Sequence, residues 1–72
     1  MDKNISFDEY NTEVRRCFYE ISGLSEDEGE VFLNSETAEN KIKSSYKYFT
    51  TSDVAGFEPP AVAGCLDMMY EG

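Results

Sequence analysis

The chain has 72 residues, of which fifteen are acidic, six are basic and none is histidine, giving a formal charge of -9. That length supports one small domain, and a 40% hydrophobic content with five Phe and five Tyr supplies a core, which argues against wholesale disorder. The charge opposes direct binding to nucleic-acid phosphate or an anionic membrane and suits a basic partner, and no apolar run approaches the roughly 18 residues that a spanning helix needs.

Residues 1–5 read as a frayed lead-in. Ser6 or Asp8 can cap a first helix, because Asp8 and Glu9 then fall where the helix dipole favours negative charge. Phe7, Tyr10, Val14, Cys17, Phe18 and Ile21 recur at spacings of three and four, which sets them on one stripe. The helix is expected to run from about Phe7 to Ser22 and to stop at Gly23. Ser25 followed by Glu28 is a capping-box pair, so a second helix starts there with Glu26, Asp27 and Glu28 in its first turn. Leu24, Val31, Phe32 and Leu33 can tie this acidic stretch to the core.

Asn34 and Ser35 favour caps over helix interiors. A third helix of about fourteen residues is therefore expected from Ser35, with Ala38, Ile42, Tyr46 and Phe49 inward and Lys41, Lys43 and Lys47 toward its negative end. The alternative is one bent helix from Glu26 to Phe49. Thr50 to Glu58 reads as a connector with a single helical turn through Val54. A proline in the first turn costs a helix nothing, so a last helix runs from about Pro59 to Tyr70. The expected fold is all-α: one bundle of three longer helices and one or two short helical turns.

Charge is unevenly distributed along the chain. Residues 20–39 hold seven acids and no base, whereas residues 40–52 hold three lysines and no acid. Dipole complementarity accounts for part of this pattern but not for Glu20, near the end of the first helix. The last helix carries a second signal, since Asp67 is its one charge between Ala61 and Tyr70. Val62, Cys65, Leu66 and Met69 are expected to make its inward face. A helix apolar nearly all round is buried on most sides. Either the other helices wrap it, with Ala61 and Gly64 allowing close approach, or Ala61, Gly64, Met68 and Tyr70 are left for a second protein.

Catalytic chemistry finds little support. Without histidine, the commonest general base and metal ligand are both missing, and no lipase-type nucleophile elbow surrounds any serine. An EF-hand loop built with Gly29 as its sixth residue would place Leu24 first and Ser35 twelfth, and neither supplies a carboxylate. The Asp-Ser-Leu attachment motif of acyl-carrier proteins is absent. Tyr46, Tyr48 and Phe49 beside the lysines suggest base stacking, but the core stripe claims Tyr46 and Phe49 and the body is strongly negative. No enzyme activity, cofactor or metal is expected. Two cysteines and no signal-peptide pattern suggest reduced thiols, each serving as a small hydrophobe on a helix face, in a cytoplasmic protein.

Two functional expectations remain. In the first, Glu20, Glu26, Asp27, Glu28, Glu30, Glu36 and Glu39 dock on a basic surface of another protein. Its most concrete form is an inhibitor that occupies a nucleic-acid-binding groove by imitating phosphate spacing, like small acidic helical proteins of phages and mobile elements in size and charge alone. In the second, the chain is a homodimer or structural subunit assembled through Ala61, Gly64, Met68 and Tyr70, and the acidic face serves solubility only.

Overall fold

Each of the first three helices begins at a serine whose hydroxyl accepts an amide that has no partner within the helix. The computed structural model describes residues 2–71 and contains four α-helices and, among these residues, no strand. Helix α1 is Phe7–Ser22, α2 is Glu26–Leu33, α3 is Glu36–Thr51 and α4 is Pro59–Glu71. The Ser6, Ser25 and Ser35 hydroxyls accept from the amides of Glu9, Glu28 and Ala38. Gly23 closes α1 in the left-handed region at φ 69°, donating its amide to the Tyr19 carbonyl. An L side chain there would be strained.

The expected all-α bundle is present, and the stretch from Glu26 to Phe49 is two helices. At Asn34 the backbone leaves helical geometry, and Ser35 is extended and caps α3. The reciprocal half of the capping box is not formed among the described residues: Glu28 lies instead beside a surface hollow.

Helices α1 and α4 share the largest packing surface and run in the same direction. At one end the Tyr10 hydroxyl donates to the Phe57 carbonyl (2.6 Å) just before α4. At the other, Phe18 stacks on Phe32, whose ring meets Tyr70 edge-on near the end of α4. Helix α3 returns antiparallel, so that Tyr10 touches both Tyr46 and Phe49. The short α2 covers the far end of the bundle. One continuous core results, made of Tyr10, Val14, Cys17 and Phe18 from α1, Leu33 from α2, Ala38, Ile42 and Phe49 from α3, and Val62, Ala63 and Leu66 from α4.

Several local expectations are corrected. The lead-in is tied down from Asp2 to Ile5: Tyr46 donates to the Ile5 carbonyl at 2.8 Å, and Lys3 reaches the Ser52 carbonyl and the Asp53 carboxylate. Met1 lies outside the described residues. Ile21 is half exposed, and Leu24, after the Gly23 turn, packs against the core in its place. Val31 does not anchor α2, being 78% exposed. Helix α3 continues to Thr51, held by Thr50 and Thr51 hydroxyls bonded back to carbonyls of the preceding turn. Its last turn therefore carries no lysine. The helical turn through Val54 is absent, because the Ser52 hydroxyl takes the Val54 amide and Gly56 sits at φ 110°, outside helical geometry. No helix in the described residues is long and apolar enough to cross a membrane.

Candidate functional site

The seven carboxylates between Glu20 and Glu39 divide into two groups. Two are held by the protein's own arginines. Arg16 grips Glu20 (2.7 Å) and Glu13 (2.9 Å) along the outer stripe of α1, which explains an acid at the unfavourable end of that helix. The two carboxylates in turn raise the pKa of the Arg16 guanidinium above its ordinary value, chiefly through the bond to Glu13. Arg15 donates to Asn11 in its own helix and crosses to Glu30 (2.5 Å) in α2 and to Asn34 just after it, so Glu30 fastens α2 to α1.

The other five, Glu26, Asp27, Glu28, Glu36 and Glu39, are exposed and make no ion pair among the described residues. Glu39 lies beside Arg15 and Lys43 at the α1–α3 seam, around a small hollow of about 110 Å³, so its charge is partly offset. Glu26, Asp27 and Glu28 fill the first turn of α2, and Glu36 opens α3. In this cluster, Glu28 lines a surface hollow. Tyr19 lies over Gly29, and its phenol pKa is raised first by burial and then by the negative charge of Glu30 and Glu26.

Between Glu28 and α4 lies an open hollow of about 590 Å³, lined by Val31, Phe32, Ser35, Met69 and Tyr70. The acidic cluster and an apolar surface thus meet at α2. Sequence spacing gives no warning of this, because Phe32 and Tyr70, whose rings meet, are 38 residues apart.

Of the four α4 residues expected at an interface, three share a face. Ala61 is exposed, Met68 is 74% exposed, and a Cβ added to Gly64 would meet nothing within 4 Å. Tyr70 points elsewhere, onto Phe32. The other helices therefore do not wrap α4. Cys65 is exposed on this open side, against the expectation that it lines the inward face, and Ala63 takes the core position. Cys17 is buried as expected, and burial pushes its thiol pKa up. That leaves it a packing residue.

No family model, curated protein or solved structure matches the chain. Function must therefore be argued from this geometry.

A second concentration of acids lies at the start of α1, where Asp2, Asp8, Glu9 and Glu13 with Ile5 and Thr12 line an open hollow of about 520 Å³. Residues 1–19 hold four acids and three bases, which conceals it, because Lys3 and Arg15 point to Asp53 and Glu30 and Arg16 pairs only with Glu13 among these four acids. Its traces in sequence are the adjacent Asp8 and Glu9 and the i,i+4 spacing of Glu9 and Glu13. Among the described residues, no three acid or cysteine side chains converge in metal-ligating geometry. Ser44 and Lys47 stand at Ser-x-x-Lys spacing on α3, but both are exposed and no hydrogen bond joins them.

Proposed function

We propose that the chain is a non-catalytic protein-binding module whose acidic α2 end docks on a basic surface of another protein. The supporting observation is that Glu26, Asp27 and Glu28 share the first turn of α2 and Glu36 opens α3, and that none of the four makes an ion pair among the described residues. Negative charge fixed in this way steers a basic partner and sets its orientation. Glu20, Glu30 and Glu39 contribute less, since each already has an arginine or lysine close by. In its finer form the module is an inhibitor that occupies a nucleic-acid-binding surface in the cytoplasm, as small acidic proteins of phages and mobile elements do. That form rests on size and charge.

The test is capture on the immobilised chain, compared with a variant carrying Glu26→Gln, Asp27→Asn, Glu28→Gln and Glu36→Gln. Basic proteins retained at low salt, released by raised salt and lost with the variant support the reading. Release by added DNA or RNA supports the finer form. Equal retention by both chains overturns the proposal.

A second reading, assembly through α4, is favoured by one observation. Gly64 lies within a helix at a cost of about 1 kcal/mol relative to alanine, yet no neighbour in the monomer uses the space. If Ala61, Gly64 and Met68 meet a second copy, Gly64→Ala dissociates the dimer in sedimentation. If the face is free, the same substitution raises stability and leaves a monomer unchanged.

A further inference from the structure

The hollow between α2 and α4 is where unsatisfied charge and exposed apolar surface coincide. Its floor is made by the half-buried Phe32 and Met69 and its rim by Val31 and Tyr70, which are 78% and 40% exposed. A valine so exposed on a charged helix, beside the exposed Tyr70 and the half-buried Phe32 and Met69, forms a patch of the kind that marks interaction sites. Among the described residues, Glu28 is the one charged residue of the lining. Asp27 stands one turn before Val31, and Glu36 follows Ser35 at the start of α3.

We infer that this hollow seats an apolar side chain of a basic partner segment, one in which a hydrophobic anchor is flanked by Lys or Arg. The inference rests on the reading that the α2 end meets a basic protein, and it names what that surface selects beyond charge.

Charge complementarity decides the occupant. Burying an anchor at this site brings its flanks against Asp27, Glu28 and Glu36, which make no ion pair among the described residues, so cationic flanks gain contacts and acidic flanks are repelled. A second copy of the chain fits poorly. A symmetric contact would set each Glu28 and Asp27 against the same acidic rim, and each chain carries a charge of -9. Anionic lipid is disfavoured for the same reason. Met69 on the floor adapts to the shape of the inserted side chain, and aromatic Phe32 and Tyr70 supply large contact area.

Three synthetic helical peptides test this by NMR with methyl-labelled valine and methionine. One carries leucine at i, i+3, i+4 and i+7 among lysines. The second replaces those leucines by serine at equal charge, and the third keeps the leucines among glutamates. The lysine–leucine peptide is expected to bind about tenfold or more tightly than the lysine–serine peptide and to shift the Val31 and Met69 methyls. Val31→Ser, at a site too exposed to threaten the fold, is expected to remove that advantage and to leave the lysine–serine affinity unchanged.

Equal binding of the two lysine peptides with unmoved Val31 and Met69 methyls overturns the inference and leaves the acidic-face reading standing. No binding of either at low salt overturns both. Equal binding of the glutamate–leucine peptide, or a free chain that dimerises with these methyls covered, shows that the occupant has been named wrongly and overturns the inference alone.

Discussion

Gly29 allows α2 to lie against α1, and replacing it tests how closely the two helices depend on each other. A Cβ at this position would stand 2.3 Å from Tyr19 Cε1 and 2.9 Å from both Cζ and the hydroxyl oxygen. Carbon atoms pack at about 3.5 Å or more, so the ring would have to move by about 1.2 Å. The ring is not free to do so without loss, because it also packs edge-on against Phe18 with centroids 5.9 Å apart. Overpacking of this kind costs about 1–3 kcal/mol, while exchanging a helix-interior glycine for alanine returns about 1 kcal/mol. Gly29→Ala should therefore destabilise the chain by up to about 2 kcal/mol. In a Tyr19→Ala background the ring is gone and only the propensity gain remains, so the same substitution should stabilise by about 0.5–1 kcal/mol. Urea titrations of the four chains, followed by far-UV circular dichroism, give the coupling directly. If Gly29→Ala stabilises both backgrounds equally, the ring does not hold this helix contact and the argument fails.

Ser45 is buried in α3, and its hydroxyl has no hydrogen-bond partner among the described residues. Ser45→Ala should raise stability by about 1 kcal/mol, seen as a higher melting temperature. Burial holds the Tyr10 phenol at a pKa of about 12, against 10 for an ordinary tyrosine. The folded chain thus keeps a proton that the unfolded chain loses first, so stability is intact below about pH 10 and falls by roughly 2–3 kcal/mol by about pH 12. Tyr10→Phe should flatten that alkaline decline in pH-dependent urea melts, and an unchanged slope would assign it to other groups. Arg15→Met keeps the stem but removes the bonds to Asn11, Glu30 and Asn34. It should cost about 1–2 kcal/mol and lower amide exchange protection in α2 more than in α1.

The features legible in the sequence are those whose chemistry is local. A serine cap needs only an amide three residues on, and Gly23 or Pro59 needs only its own backbone preference, so all four helices begin within a residue of expectation. The stripes of α1 and α3 were legible where one helix face meets the core, as for Tyr10, Val14, Phe18, Ala38, Ile42 and Phe49. Helix α4 was not, since an almost uniformly apolar segment has no polar side to orient it. Whether Ala63 or Cys65 turns inward was decided by the approach of α1, a tertiary fact. The candidate site divided in the same way. The acids could be counted in advance, but their pairing could not. Arg15 and Glu30 are 15 residues apart, and their contact exists only because α2 folds back over α1.

That pairing bears on how the surplus of negative charge should be understood. Acids that serve the fold have identifiable work: Glu13 and Glu20 hold Arg16, and Glu30 joins two helices through Arg15. First-turn acids also favour a helix start, by about 0.3–1 kcal/mol each at low salt. Placing Glu26, Asp27 and Glu28 together, however, adds mutual repulsion to each successive gain. Glu36 adds a fourth charge at the start of the next helix, while Lys41, Lys43 and Lys47 form no ion pair among the described residues. A chain selected for stability alone would place some of those lysines against these acids. On the proposed function, the uncompensated α2 start and the open apolar hollow beside it are the two features that a basic partner would satisfy together.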